Sequence, residues 1–474
     1  MKLIIKEKIH HISYCYLLGI GGIGMSALAL YFKKSGIPTA GYDKVSSPIT
    51  DTLQAEGIQV HFEDAPDNIP KELFELPPSQ VLLIYTPAVP ADHKERNFLI
   101  NKGFSIYKRS EVLGAITGNY KTAAVAGTHG KTSVSTLIAH IFKVGGLPFN
   151  GFLGGISKNY DSNLLLHTAP GEAEYAVTEA DEYDRSFLEL RPHIAVITAI
   201  DPDHLDIYGT FEELQRTFRQ FAERIDKDGV LILKKGVELP FGDFPSRVFS
   251  YSLNESADFY AENICLSDFE TRFDLVTPSG KVLKNLSVQI PGKMHVENAV
   301  AASAVSLLSG VCEDNLRKAL ASWEGVKRRF DYIVRTPNLI YIDDYAHHPE
   351  EIRCLLNSLK SIYKNRKITG IFQPHLYSRT QDFAEDFAES LSLLDELILL
   401  DIYPARELPI PGVSSRLIFD KVQIDKKVLM SKEDIPDCIN LSDTDILLTI
   451  GAGDIDRLVD KIREKILNLN EKNK

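Results

Sequence analysis

The sequence predicts an α/β protein of three domains. Three observations carry that expectation. Short apolar runs recur along the chain, each ending in a polar or glycine-rich loop that opens an amphipathic segment, the rhythm of parallel strands joined by helices. Two of the loops, Gly19–Gly24 and Gly127–Ser133, are glycine turns at the end of an apolar strand. The 474 residues exceed what one ordinary core organises. The expected domains are residues 1–118, 119–326 and 327–474, with Gly118-Asn119-Tyr120 as the first linker.

Composition narrows the class. A hydrophobic content of 44% with 25% charged residues is that of a globular protein. A net charge of −12 argues against general affinity for nucleic acid. The five cysteines (Cys15, Cys265, Cys312, Cys354, Cys438) form no C-x-x-C pair, so no structural zinc or disulfide framework is expected. Met1 to His11 is charged and lacks an apolar signal core, and no apolar run approaches membrane-spanning length. A cytoplasmic protein with neither nucleic-acid nor membrane partner follows, expected as a monomer or weak homodimer.

In the first domain, Tyr14 to Leu18 reads as a strand entering Gly19-Ile20-Gly21-Gly22-Ile23-Gly24, with a helix from Met25 to about Lys34. A second strand, Thr39 to Tyr42, ends at Asp43. A glycine turn after strand one and an acid after strand two form the Rossmann-like fingerprint for a diphosphate-bearing nucleotide. Asp43 reads equally as a ribose contact or a turn acid. The strand Val81 to Tyr85 runs into Thr86-Pro87-Ala88-Val89-Pro90 on the same rim, where open α/β sheets bind ligands. Tyr107-Lys108-Arg109-Ser110 and a helix to about Thr117 close the domain.

The central domain opens on Ala123-Ala124-Val125-Ala126, a buried strand, then Gly127-Thr128-His129-Gly130-Lys131-Thr132-Ser133 and a helix over Val134 to Val144. This is a shortened phosphate loop, because Val125 stands where the common pattern has its first glycine. Loop N–H groups face the anion, Lys131 neutralises the outer phosphates, and the Thr132 hydroxyl reaches magnesium. A loop-rich stretch follows, punctuated by Gly145-Gly146 and Gly154-Gly155. Tyr175 to Thr178 delivers Glu179 at a strand tip, before Asp181, Glu182 and Asp184. Ile194 to Thr198 is a strand leading to Asp203-His204-Leu205-Asp206, and a helix spans Phe211 to Ile225. Val230 to Leu233 reads as a further strand, Arg247 to Ile290 as antiparallel strands, and helices near Asn298–Leu308 and Asp314–Ser322 end the domain.

The third domain repeats strand, polar loop and helix. Leu339 to Ile342 leads into Asp343-Asp344-Tyr345-Ala346-His347-His348-Pro349, and Ile368 to Phe372 into Gln373-Pro374-His375-Leu376-Tyr377-Ser378-Arg379-Thr380. Glu396 to Leu400 and Ile446 to Ile450 follow the same plan. A parallel sheet gathers these loops on one edge.

Together these parts suggest one nucleotide as fuel and another as a handle on the substrate. Glu179 is placed to hold magnesium with Thr132. His204 reads either as a second ligand or as an imidazole hydrogen-bonded between Asp203 and Asp206. His347, His348 and His375, beside Asp344 and Arg379, form a functional rim. Lys327-Arg328-Arg329 is either a solvated linker or a source of a guanidinium for phosphates.

Seven ordered blocks resemble the Mur ligase family almost end to end: Gly19–Ser26, Gly127–Thr132, Glu179–Glu182, Asp203–Asp206, Asp343–Pro349, Gln373–His375 with Ser378–Thr380, and Ile402–Glu407. The resemblance implies a UDP-binding domain, an ATPase domain and a Rossmann-like C-terminal domain. It places the UDP part on Gly19, Gly21, Gly22, Ile23, Gly24, Met25, Ser26, Asp43, Thr86, Pro87 and Ala88. It places ATP on Gly127 to Ser133, Asn298, Arg329 and Asp344, and Mg2+ on Thr132, Glu179 and His204. Tyr345, His347, His375 and Arg379 are implied at the amino acid, with Lys131, His347, His348 and Arg379 in catalysis. The chain departs from the pattern at Ala199, Met294 and Leu376, where asparagine, histidine-containing sequence and arginine are usual. Phe211 to Ile225 contains no lysine, unlike branches with a carbamylated lysine there.

The activity so implied is the ATP-dependent joining of L-alanine to the lactyl carboxylate of UDP-N-acetylmuramate through an acyl phosphate, in peptidoglycan precursor synthesis. A tripeptide-adding recycling ligase shares the architecture, but Gln373–Thr380 and Pro404–Glu407 favour the alanine enzyme. A nicotinamide oxidoreductase built on Gly19 to Gly24 leaves the phosphate loop and Glu179 unexplained, and a non-catalytic ATP-driven switch would hydrolyse ATP whether or not UDP-N-acetylmuramate is present.

Overall fold

Strands β1 (Tyr14–Leu18), β2 (Thr39–Tyr42), β3 (Gln59–His61), β4 (Val81–Tyr85) and β5 (Ile106–Lys108) form a parallel sheet in the order β3-β2-β1-β4-β5. This computed structural model describes residues 9, 11–169, 171–202, 205–240, 244, 247–405, 407–441 and 443–472. They divide into two compact units, one of residues 1–265, 271–289 and 294–324, the other of 266–270, 290–293 and 325–474. The five-stranded sheet belongs to the first. Every residue of β1 is buried, as a central parallel strand covered on both faces requires. Its alternate residues feed two cores: Tyr16 and Leu18 pack with Leu73 and Leu99, Cys15 and Leu17 with Leu28 and Phe32. Helices α1 (Ile23–Lys34), α2 (Pro48–Ala55), α3 (Lys94–Asn101) and α4 (Arg109–Thr117) make the connections. Strand order reverses between β1 and β4, so the loops after these strands flank the crevice where such sheets take ligands.

The second sheet of this unit holds β6 (Lys121–Ala126), β7 (Phe149–Ser157), β8 (Ser162–Leu165), β9 (Tyr175–Glu179), β10 (Ile194–Ile197), β11 (Val230–Lys234), β12 (Arg247–Ser252), β13 (Phe259–Leu266), β14 (Thr271–Val276) and β15 (Val282–Val288). Their order is β15-β14-β13-β12-β11-β10-β6-β9-β7-β8. Helices α5 (Lys131–Gly145), α6 (Leu205–Tyr208), α7 (Phe211–Ala222), α8 (Lys293–Leu308) and α9 (Glu313–Ser322) accompany them. Register aligns Val125 with Glu179 and Ala126 with Ile197, so β6, β9 and β10 end on one rim.

Four expectations change. The glycine-punctuated stretch is strand β7, antiparallel to β8 and parallel to β9. Its glycines mark close approach rather than a loop: a Cβ on Gly154 would lie 1.7 Å from Glu179 Oε2. Strand β12 runs parallel to β11, and β13 parallel to β12, while β14 and β15 are antiparallel. β12 and β13 are short and only partly buried, and their mixed runs of polar and apolar residues carry no strand direction. Helix α7 stops at Ala222, because Arg224 and Ile225 donate to Phe221 and Ala222 in tight three-residue turns. Helix α5 begins at Lys131, with left-handed Gly130 (φ 79°) as its N-cap, so Lys131 to Ser133 form the first turn.

The second unit carries β16 (Asp331–Arg335), β17 (Ile340–Asp344), β18 (Ile368–Phe372), β19 (Glu396–Leu399), β20 (Lys426–Leu429) and β21 (Ile446–Ile450), in the order β16-β17-β21-β18-β19-β20. The sheet is parallel except for β16, which pairs antiparallel with β17. The edge strands β16 and β20 escape the apolar-run criterion because both are only partly buried. Helices α10 (Pro349–Ile362), α11 (Tyr377–Asp382), α12 (Ala384–Leu391), α13 (Arg416–Phe419), α14 (Ile435–Cys438) and α15 (Val459–Lys472) complete it. Asp344 and Phe372 both align with Ile450, which levels the ends of β17, β21 and β18. Among the described residues, no helix is long and apolar enough to cross a membrane.

Candidate active site

The first site is the crevice after β1 and β4. Gly19 is left-handed (φ 83°), and a Cβ there would meet Thr86 Cγ2 at 2.5 Å, so the glycine turn and the Thr86-Pro87-Ala88 loop are in contact. Asp43 Oδ2 accepts from the Gly21 N–H at 2.8 Å, and Oδ1 from Val45 N–H at 3.3 Å. Asp43 therefore fixes the turn. Met25 and Ser26 are buried. Ser26 Oγ donates to Ile23 O and accepts from Asn163 Nδ2 of β8 at 2.9 Å, which ties the turn to the neighbouring sheet.

Arg109 is a residue that sequence reading left without a task. A Cβ on Gly24 would lie 2.6 Å from Arg109 Nη1, so a side chain there would push this guanidinium away from the turn. Its Nη2 lies 3.7 Å from Asp181 Oδ2, and Lys108 Nζ pairs with Asp184 at 2.8 Å. A cationic step thus joins the glycine turn to the acidic loop after β9.

The phosphate loop lies on the rim of β6, β9 and β10. The Thr128 N–H donates to Ala199 O at 3.0 Å, and Thr128 Oγ1 to Asp201 Oδ2 at 3.1 Å. Because Ala199 works through its carbonyl, its alanine side chain leaves this stitch intact. His129 is half-exposed, with Nε2 3.5 Å from Asp201. A Cβ on Gly130 would stand 3.1 Å from Asn298 Oδ1, which brings the α8 asparagine to the loop. Ser133 completes the first turn of α5.

Lys131 Nζ donates to Glu182 Oε1 at 2.8 Å and to Gly127 O at 2.7 Å. Burial acts to lower its pKa, but the carboxylates of Glu182, Glu179 and Asp181 outweigh that effect and hold it above the ordinary lysine range. Glu182, at 1% exposure, is the anion that keeps this buried cation. Thr132 Oγ1 donates to Glu179 Oε2 at 2.8 Å. These two hard oxygen donors, one on the first turn of α5 and one at the end of β9, suit magnesium. His204 and Asp203 lie outside the described residues.

The second unit has its own rim. Asp343 is buried with Thr449 Oγ1 donating to it at 2.6 Å, and burial pushes its pKa up to about 7 against the pull of Arg328. Asp344 accepts from Phe330 N at 2.7 Å and Ala346 N at 2.8 Å, fixing the loop. Arg328 donates to Gly451 O at 2.5 Å and to Asp456 Oδ2 at 3.2 Å, so it is an internal tie. The guanidinium carbons of Arg328 and Arg329 lie 5.0 and 5.1 Å from the Tyr345 ring centroid. Tyr345 is thereby the platform that carries Arg329.

His347 and His375 meet edge to face, with centroids 5.9 Å apart, and His375 stacks on Tyr403 at 5.9 Å. His348 does not join them; its ring packs against Phe383 at 4.9 Å. Glu351 Oε2 accepts from the backbone N–H of His347 and His348 at 2.9 and 3.2 Å. Burial, then the nearby Arg379 and Arg329, lower the His347 pKa against the opposing charge of Glu351. Burial, then His347 and Arg379, push His375 down to about 4. Glu407 Oε2 accepts from Ser378 N at 2.9 Å and the other oxygen from Ser378 Oγ, so it caps the helix carrying Arg379. Leu376 precedes that helix with φ 72° and ψ 139°, a conformation that side-chain-bearing residues rarely take. Arg406 lies outside the described residues. Glu182, Glu351 and Glu407 received no task from sequence reading. Only Glu351 carries a local signal, its capping-box spacing after His348-Pro349.

Three family models match the chain: the catalytic domain of the Mur ligase family over residues 15–121, the Mur ligase middle domain over 125–306, and the Mur ligase glutamate ligase domain over 328–453. The UDP-N-acetylmuramate–L-alanine ligase of Parabacteroides distasonis is 49% identical over 96% of this chain and 98% of its own length. That of Porphyromonas gingivalis is 48% identical over 96% and 99%. In three dimensions the chain is similar to the UDP-N-acetylmuramate–alanine ligase of Thermotoga maritima, with a TM-score of 0.81 at 28% identity over 96% of this chain and 99% of that one. A murein peptide ligase from Psychrobacter arcticus has the same fold, with a TM-score of 0.71 at 21% identity over 95% and 99%.

Proposed function

The chain belongs to the Mur ligase family, and from that premise we propose that it joins L-alanine to the lactyl carboxylate of UDP-N-acetylmuramate with cleavage of ATP. The observation that carries the reading is the pair Lys131–Glu182 and Thr132–Glu179 on one rim, in the same compact unit as the Gly19–Ser26 turn. Near full-length identity to alanine ligases supports the choice of substrates. We divide the chain into residues 1–118 for the UDP-substrate, 119–326 for ATP and 327–474 for the amino acid and further ATP contacts. The family-model ranges support this division. The cytoplasm is the proposed compartment.

A carboxylate does not condense with an amine in water unaided. The muramate carboxylate attacks the γ-phosphorus of ATP, ADP leaves, and an acyl phosphate forms. The alanine amine then attacks its carbonyl and phosphate departs. Lys131 and the N–H groups of Gly127 to Ser133 hold the phosphates and neutralise charge as it shifts. Thr132 and Glu179, with His204 as a third proposed ligand, would hold Mg2+, which when bound supplies charge neutralisation at the phosphoryl oxygens. Asn298, Arg329 and Asp344 are assigned to ATP. The turn from Gly19 to Ser26, Asp43 and Thr86 to Ala88 are assigned to the UDP part. Tyr345, His347, His375 and Arg379 are assigned to alanine, with His347 or His348 taking its proton.

The decisive experiment measures ADP release without and with UDP-N-acetylmuramate, then with each proteinogenic amino acid and with the muropeptide tripeptide. Release that needs both UDP-N-acetylmuramate and L-alanine is expected. Release indifferent to the sugar nucleotide, or a preference for the tripeptide, overturns the reading. In the same assay Gly24→Ala should raise the KM for UDP-N-acetylmuramate about tenfold, the equivalent of about 1.4 kcal/mol, by displacing Arg109. The KM for ATP should stay within about twofold.

A further inference from the structure

Two histidines on the rim of the second unit are held in opposite tautomers, and hydrogen-bond chemistry decides which is which. His347 Nδ1 lies 3.0 Å from the Tyr345 carbonyl oxygen and 3.3 Å from Glu351 Oε2. Both oxygens accept, so Nδ1 carries the hydrogen and neutral His347 keeps its lone pair on Nε2. His375 is the reverse. Its Nδ1 lies 3.4 Å from Arg379 Nη1. A guanidinium only donates, so this Nδ1 accepts and the hydrogen sits on Nε2.

A proton acceptor next to a proton donor and a guanidinium complements the two ends of an α-amino acid. We infer that Glu351 is a positioning residue that presents His347 Nε2 as the proton acceptor for the incoming amine, while His375 Nε2–H and Arg379 hold that amino acid's carboxylate. The inference rests on the ligase reading above and deepens it. It also separates the adjacent histidines, since Glu351 takes only the backbone N–H of His348, whose ring lies on Phe383.

In this step the α-ammonium gives one proton to His347 Nε2. The freed electron pair forms the C–N bond at the acyl carbon, and the C–O bond to phosphate breaks. Phosphate departs with that pair and takes the remaining excess proton from nitrogen. The ionised Glu351 stabilises the imidazolium so formed, in the manner of a base oriented by a third group. The charged and titratable groups facing His347 are Glu351 from α10, Arg379 from α11, Arg329 ahead of β16, Tyr345 after β17, and His375 after β18. Of these side chains only Glu351 raises the pKa of His347, so removing its charge lowers that pKa.

The test measures L-alanine ligation against pH for the full-length enzyme, Glu351→Gln and Glu351→Asp, with hydroxylamine as a second nucleophile in the same preparations. Hydroxylamine is largely unprotonated at neutral pH and has no carboxylate, so hydroxamate formation reports the acyl phosphate without either histidine. In Glu351→Gln the ratio of ligation to hydroxamate formation should fall about 10–100-fold. The acidic limb of kcat/KM for alanine should move about half a unit or more toward lower pH. Glu351→Asp should recover part of both. His375→Gln should raise the KM for L-alanine about tenfold with kcat within about threefold. An acidic limb that does not move in Glu351→Gln, or a parallel loss of ligation and hydroxamate formation, overturns the positioning role. Absence of UDP-N-acetylmuramate-dependent hydroxamate in the unsubstituted enzyme instead overturns the ligase reading, so the two failures are distinct.

Discussion

Lys131→Ala should lower turnover by about 10²–10³-fold or more, the usual cost of removing a preorganised charge from a site of phosphoryl transfer. The affinity for UDP-N-acetylmuramate should stay within about twofold, because the glycine turn proposed for it follows a strand of a different sheet. Single-turnover ADP formation reads the first effect, and calorimetric titration with the sugar nucleotide reads the second. Alanine also strands Glu182, buried and without its cation, and breaking such a pair costs about 3–5 kcal/mol of stability. The double variant Lys131→Met, Glu182→Gln removes both charges and separates catalysis from folding. If the folded double variant turns over normally, Lys131 has no part in the reaction.

Glu179→Gln should have the next largest effect. The amide fills the same space above Gly154 and still accepts from Thr132 Oγ1, but it brings no charge to a divalent ion. Turnover at fixed Mg2+ should fall about 10²-fold, and the Mg2+ concentration giving half-maximal ADP release should rise about tenfold or more. A Mg2+ titration of ADP release checks both. An unchanged midpoint would remove Glu179 from the metal site.

The parts of this fold legible in the sequence are those with short-range causes. A buried parallel strand is a continuous apolar run, and a glycine turn before a helix is a fixed spacing. The ends of β1, β6, β17 and β18 are therefore read to within a residue or two. Strand direction beyond β11 is illegible, because the short runs of mixed polarity in β12 and β13 read alike in either sense. The site divides along the same line. Lys131 and Thr132 announce themselves by the glycine-loop spacing that opens a helix, and Glu179 by its place at a strand end. Their partners answer to tertiary placement: Glu182 meets Lys131 across 51 residues, and Glu407 reaches Ser378 across 29. Between the two arginines at 328 and 329, residue pattern alone does not choose, and only the family resemblance names Arg329. Packing commits Arg328 to the Gly451–Gly453 loop and puts Arg329 on the Tyr345 ring.

Leu376 joins durability to the setting of Arg379 at a single torsion. Its positive φ stores about 1–3 kcal/mol, and the helix bearing Arg379 starts at the next residue. A glycine there would relax the backbone and toughen the fold against heat. It would also free the joint from which the Arg379 helix starts, so resilience gained at this position would come with a less firmly set Arg379.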